Sequence, residues 1–251
     1  MNHLPAKTWL AAALLGAAAF GWAQAPELKA VKLNEPDKKR GLPFMEALSV
    51  RASVRDWSPK ELSLQDVSDL LWAANGINRP DSKKRTASSA QNAQDVDIYV
   101  FLKDGVYLYD AAGQALVPVA VGDHREEAVA PPSGGPGGPG GPPPAKPGET
   151  PMPKPAGPPP GAKPGAPPTP APVLLVLVSD VSRFRGGTPE LKREFAAIDT
   201  GIVSQNISVF CAACGLATRP RASMDRDRIR TLLKLKDSQF PLLNHPVGYP
   251  K

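Results

Sequence analysis

The chain has 251 residues, 41% of them hydrophobic and 22% charged, with a formal net charge of +6, which is enough apolar material for one globular domain with a sizeable core. Two cysteines cannot build a zinc site alone, and three histidines argue against a histidine metal centre or a catalytic triad. The basic balance does not point to nucleic acid, because Lys and Arg are dispersed among Asp and Glu, with neither zinc-finger spacing nor an aromatic-interleaved basic stripe.

Lys7 precedes an apolar run over residues 9–20, and small residues follow at Gly21, Ala23 and Ala25. This is the pattern of a secretory signal peptide, too short for a stable membrane span, with cleavage expected after Ala23. No twin-arginine pair accompanies it, so Sec-type export to the periplasm is expected. Residues 24–40 read as a polar leader in which Lys38, Lys39 and Arg40 are solvated. The folded domain is expected to start at residue 41.

Helix signals cover residues 43–51. Arg51 and Arg55 lie four residues apart with Ser53 between them, and on a helix the two guanidinium groups share a face. Arginine matches phosphate oxygens in a bidentate fork. A second helix starts at Ser63, where Ser63-Leu64-Gln65-Asp66 resembles a capping box with Asp in place of Glu. It runs through Leu70, Leu71 and Trp72 and stops at Asn75-Gly76. The polar run 88–94, which contains Ser88, Ser89, Asn92 and Gln94, is turn material of short neutral donors. Such donors suit the polar atoms of a heteroaromatic ring or a ribityl chain without adding charge. Residues 97–103 and 106–109 are short aromatic strands joined at Asp104-Gly105, a hairpin signal.

Residues 130–172 hold nineteen prolines and ten glycines with four charges. Proline removes backbone donors and glycine raises the entropy cost of ordering, so this insert is expected to stay extended and outside any core. It interrupts one domain and does not separate two. Triplets such as Pro142-Pro143-Pro144 offer a docking arm for an aromatic groove, against the plainer reading of a tolerated surface insertion. Residues 173–178 form an unbroken apolar run, read as a central strand. Helices follow at 189–196, merging with 202–213, and at 226–235. A last short strand over 242–249 is broken by Pro246. Strands and helices mix without strict alternation, which favours an α+β fold. Cys211-Ala212-Ala213-Cys214 lies within an apolar helix, not at a helix start where the dipole would lower a thiol pKa, so both cysteines read as small buried hydrophobes.

Taken together, the runs at 51–57 and 88–94 resemble the FMN-dependent nitroreductase family, which carries an R-x-S-x-R/K run near its start and a P-S-S-x-N-x-Q-like run soon after. The likeness continues through Ala197-Ile198-Asp199-Thr200-Gly201, Ala222-Ser223-Met224-Asp225 and the closing Pro246-Val247-Gly248-Tyr249-Pro250-Lys251. The resemblance implies a nitroreductase-like fold with a mixed or antiparallel sheet flanked by helices. It also implies a homodimer with two FMN molecules at the subunit interface.

By the same resemblance Arg51, Ser53 and Arg55 hold the FMN phosphate and ribityl chain. Ala52 stands where the family often has Arg or His, so one contact is missing. Ser88, Ser89 and Asn92 reach the flavin from the partner subunit, with Ser88 in place of the usual proline. Pro220, Arg221, Ala222 and Ser223 form the loop that passes the ring near N5 and offers it a backbone N–H. Lys251 matches a basic phosphate ligand. Asp199 stands where Gln is frequent and is left out of this set. The implied activity is ping-pong hydride transfer through flavin N5 from a reductant such as NAD(P)H to a small organic acceptor, with no catalytic side chain. The run 85–90 and the Tyr-rich hairpin also resemble the azoline-forming dehydrogenase branch. From a different class comes a non-catalytic envelope protein that keeps the fold and uses its proline-rich arm for interaction. Ala52, Ser88 and export away from NAD(P)H favour that alternative.

Overall fold

A computed structural model describes residues 27–128 and 170–251. The expected signal peptide and residues 129–169, nearly the whole insert, lie outside the described residues. In chain order the elements are β1 (Val31–Lys32), α1 (Phe44–Val50), α2 (Leu64–Asn75), β2 (Ile77–Arg79), β3 (Lys84–Arg85), β4 (Val96–Phe101), β5 (Gly105–Asp110) and β6 (Ala115–Val121). After the insert come β7 (Val173–Asp180), α3 (Pro189–Ala213), β8 (Ala217–Thr218), α4 (Arg226–Leu232) and β9 (Gln239–Gly248).

Seven strands form one antiparallel sheet in the order β1-β6-β5-β4-β7-β9-β8, and β2 and β3 form a separate ribbon. The α+β expectation holds, and β7 explains why its sequence is unbroken apolar. Every residue of β7 is buried. Its side chains alternate between faces: Val173, Leu175 and Leu177 join one cluster, Leu174, Val176 and Val178 the other. The first face packs under α2 and α3 through Leu70, Leu71, Val203 and Ile207. The second packs on Tyr99, Phe101, Ile229 of α4 and Leu233 just beyond it. A strand covered on both faces has no polar side to show.

The expected 97–109 hairpin is β4 paired with β5, with Tyr99 opposite Leu108. The capping box of α2 is present as read: Ser63 accepts from the Asp66 N–H while Asp66 accepts from the Ser63 N–H. The two helical stretches 189–196 and 202–213 merge into α3, a helix of 25 residues. Among the described residues α3 is the one helix long and apolar enough to cross a membrane. It serves instead as the central helix of the domain, packed on α1, α2 and the sheet.

Four expectations need correction. Residues 27–40 are not a detached leader: β1 pairs with β6, and Arg40 reaches Asp66 at 2.7 Å and Asp69 at 2.8 Å on α2. Burial disfavours the Asp66 carboxylate, but hydrogen bonds from Ser63, Tyr249 and Arg40 outweigh it and hold the group at about 2. The last strand is ten residues long and is not broken by Pro246. Asn244 turns its N–H and C=O toward Arg221, away from β7. Two residues on, Pro246 faces the same way, so its missing donor takes nothing from the β7 ladder, and its carbonyl accepts the Thr218 hydroxyl at 2.9 Å. The CxxC motif lies at the C-terminal end of α3, with Cys211 buried and Cys214 capping the helix half-buried. Finally, α4 stops at Leu232, short of residue 235, and Lys234 beyond it adopts a left-handed conformation (φ 52°).

Candidate functional site

Arg51 closes α1 with φ −58° and ψ 121°, and residues 51–56 continue without helix. The shared helical face expected for Arg51 and Arg55 is therefore not formed. Extended chain alternates its side chains, which places Arg51, Ser53 and Arg55 together on the outer side, all three exposed. Val50, Ala52 and Val54 line a cavity of about 250 Å³ against Cys211 and Leu216. The strand-like course is fixed by backbone bonds: the Val54 N–H donates to the Thr218 carbonyl at 3.0 Å and the Ser58 N–H to Tyr249 at 2.8 Å. Trp57 bridges to Pro250, so the exposed Lys251 comes next to this segment.

The sequence reading passed over Arg219, which lies between β8 and the Pro220 loop. Its Nε is buried and has no hydrogen-bond partner among the described residues. Burial pushes this guanidinium down, and the charge of Arg55 adds to the effect. Arg221 is pushed down by burial and then by Arg219. Arg219 thus lies near both Arg55 and Arg221, and no ion pair joins any of the three to a carboxylate among the described residues. A cluster of unneutralised cations with an unused donor has the electrostatics of an anion site.

The Pro220 loop is pinned to β9 through Asn244, a second residue the sequence reading missed. Arg221 and Asn244 exchange backbone hydrogen bonds of 2.9 and 2.8 Å. Arg221 Nε donates to Asn244 Oδ1 at 2.9 Å, and Asn244 Nδ2 donates to the Ser223 carbonyl at 3.0 Å. Ala222 and Ser223 stay exposed above it. Beneath lies His245, fully buried, with Nε2 at 2.8 Å from Ser204 Oγ and Nδ1 at 3.3 Å from Thr218 Oγ1. Since Thr218 already donates to Pro246, Nδ1 carries the hydrogen and Nε2 accepts from Ser204. Burial and then Arg221 push His245 down to about 3, so it is a neutral brace for the arginine loop.

Ser88, Ser89 and Asn92 lie elsewhere. Their loop is held at the middle of α3, where both Asp199 oxygens accept the Ala90 N–H at 3.1 and 2.9 Å. The Gln94 N–H donates to Ser89 Oγ at 2.9 Å, and the Arg185 N–H to Gln91 Oε1 at 2.8 Å. Ser88 and Asn92 are exposed. Asp199 and Cys211 mark the two positions on α3, and twelve residues of helix separate them by about 18 Å. One chain therefore brings Arg51, Arg55, Pro220, Arg221 and Lys251 into one region and leaves Ser88, Ser89 and Asn92 in another.

With these two regions defined, comparison with known proteins gives one consistent answer. The chain is 23% identical over 231 residues to a nitroreductase-type protein of Methanocaldococcus jannaschii, a match covering 90% of this chain and 94% of that protein. A crystal structure from Ralstonia eutropha, described as a nitroreductase, superposes with a TM-score of 0.70 at 27% identity, covering 88% of this chain and 90% of that one. A chain from the E. coli microcin synthetase complex shares the fold, with a TM-score of 0.60 at 15% identity, covering 96% of this chain and 84% of that one. The nitroreductase family profile matches residues 48–249, and the chain belongs to the nitroreductase family.

Proposed function

We propose that this chain is an exported FMN-dependent oxidoreductase that passes hydride from a reductant, NAD(P)H being the candidate, to a small organic acceptor. The observation that carries the reading is the group of Arg55, Arg219 and Arg221, three guanidinium groups without carboxylate partners among the described residues and with one buried, unused N–H. A flavin phosphate supplies the missing negative charge and acceptor oxygens, so the residues present fit FMN. Bound there, FMN supplies a centre that accepts and releases hydride at N5.

Each protein group then has a distinct task. Arg55 and Arg219 bind the phosphate, with Arg51 and Lys251 at its edge and Ser53 beside the ribityl chain. Asn244 holds Arg221 and the Ser223 carbonyl fixed, so the backbone of residues 220–223 presents a preorganised dipole to the ring. Ser88, Ser89 and Asn92 sit too far along α3 to close on the arginines of their own chain. The proposed homodimer resolves that separation, with each chain's loop serving its partner's arginines. The exposed apolar side chains Phe44, Met45 and Val50 on α1 give such a dimer a surface to bury. Export rests on the apolar run 9–20 behind Lys7.

The test is an absorbance scan of mature protein, from residue 24 onward, with and without added FMN. Bound-flavin bands that bleach anaerobically on addition of NAD(P)H support the reading. A protein that stays colourless and fails to retain FMN overturns it and leaves the non-catalytic envelope protein standing.

A further inference from the structure

Behind the 88–92 loop sits a pair of carboxyl groups that the flavin chemistry does not use. Asp199, on α3, is 2% exposed, and Asp95, just before β4, is fully buried. Asp199 spends both oxygens on the Ala90 N–H. Asp95 Oδ2 accepts a hydrogen bond from Ser179 Oγ, while Oδ1 has no hydrogen-bond partner among the described residues. Both carboxyl groups line one small cavity, and Asp199 is close enough to disfavour charge on Asp95. The cavity between them and Ser88, Ser89 and Gln94 is about 10 Å³, at the lower limit for one water molecule. A space that holds at most one water screens two charges poorly.

The surrounding charges are committed elsewhere. Arg183, on the turn after β7, is bound to Asp97 at 2.6 and 2.9 Å and to the Gln94 carbonyl at 2.8 Å. Arg85, on β3, donates to the Asn75 carbonyl and to Gln94 Oε1. From α2 the facing group is the neutral Asn75, whose Nδ2 donates to Val96. Asp97 and Asp180 add negative charge on the side of Arg183. The charge of Arg183 reaches Asp95, but among the described residues no cation hydrogen-bonds or ion-pairs with either carboxyl of the pair.

The loop in front is one that needs holding. Gln91, Asn92 and Gln94 have φ of 56°, 52° and 49°, the left-handed region that side chains disfavour. Its shape therefore depends on tertiary anchors, and Ala90 on Asp199 is one of them.

We infer that a proton held on Asp95 bridges to Asp199 and that the two side chains together position the 88–92 loop, so that loss of the proton from Asp95 releases the Ala90 anchor. With the proton in place a single hydrogen bond links the two carboxyls and satisfies Asp95 Oδ1. Without it, two buried carboxylates repel across a space that holds at most one water. Burial pushes Asp95 up to about 7, against the Ser179 hydrogen bond, and Asp199 pushes it further the same way. Asp95 and Asp199 are positioning residues, acting on flavin only through the loop. The consequence for flavin rests on the proposed function, whereas the proton itself does not.

The experiment follows the Ala90 amide resonance of the apoprotein from about pH 5.5 to 9. A titration near neutrality is expected in the wild type, and its loss in both Asp95→Asn and Asp199→Asn. Asn at 199 can still accept from Ala90 while donating to Asp95, so this variant keeps the anchor without the titrating pair. In parallel, FMN affinity is measured above pH 7, where the phosphate is already dianionic. The wild type is expected to bind about tenfold more weakly at pH 9 than at pH 7, the worth of about one lost hydrogen bond, and Asp199→Asn equally at both. An Ala90 amide indifferent to pH, or one that titrates unchanged in both variants, overturns the pair. A titrating Ala90 with pH-independent FMN affinity supports the pair and overturns the loop's role toward flavin.

Discussion

Replacing Arg219 by Gln tests the anion site directly, because the structure predicts opposite effects on ligand and on fold. The side chain keeps a polar end but loses its charge and the unused Nε donor. A charge-assisted hydrogen bond to phosphate is worth about 1.5–3 kcal/mol, so FMN should bind roughly 10- to 150-fold more weakly. Riboflavin has no phosphate, and its affinity should not move. The apoprotein should not lose thermal stability, since the change removes one cation from a cluster in which Arg55 and Arg221 already repel it. The assay is quenching of flavin fluorescence on titration with Arg219→Gln and wild type, for FMN and riboflavin in parallel, with a thermal melt of each apoprotein. Unchanged FMN affinity, or an equal loss for FMN and riboflavin, would refute the phosphate reading of this cluster.

Three further outcomes follow from other parts of the fold. Asp66→Asn should cost about 2 kcal/mol at pH 7. Asp66 is held at about 2 instead of its ordinary 3.8, so its contribution is present above pH 4 and lost as pH falls toward 2; denaturant melts across that range should show a smaller acid loss in the variant than in wild type, the remainder coming from other depressed carboxylates such as Asp180. Leu175→Ala, at the centre of β7 with no exposure, should cost about 2–5 kcal/mol in the same melts, and a loss under 1 kcal/mol would contradict its place in the core. Burial pushes both Cys211 and Cys214 thiols up, so in native protein at pH 8 iodoacetamide should leave Cys211 intact and modify Cys214 slowly. Mass spectrometry of digests would expose rapid modification of Cys211, the result that sinks this account.

The parts of the fold legible in the sequence are those with local or periodic causes. The capping box at Ser63 and Asp66 is a four-residue signal, and the 173–178 run has no polar position because both faces of β7 are covered. What escaped depends on partners far along the chain. Residues 27–40 look like a polar leader until Asp66 and Asp69 supply counter-charges for Arg40. Pro246 looks like a strand breaker until the facing of Asn244 shows that its nitrogen points away from β7. The 51–55 spacing suits a helix as well as an extended strand, because four residues share a face in the first and alternate residues do in the second. Arg219 carries no local signature. It becomes visible only when Arg55 and Arg221, from separate segments, are brought beside it.

Helix α3 ties these observations together. Its middle holds the 88–92 loop through Asp199, and its C-terminal end backs the 51–55 segment through Cys211 and the cavity beside it. Lengthening or bending one chain cannot bring the two regions together, because α3 is a continuous helix with both attached to it. In the proposed homodimer a two-fold axis perpendicular to α3 would reverse its direction between the copies and set the middle of one helix toward the end of the other, in a self-complementary interface. In that proposed homodimer half of the site comes from each chain, and the loop and the arginines meet on the flavin only across the two subunits. Dilution should therefore release FMN and dissociate subunits together, so flavin retention and sedimentation behaviour should share one concentration midpoint. Flavin retained by a monomer at full affinity would place all of the ligands within one chain and overturn this division.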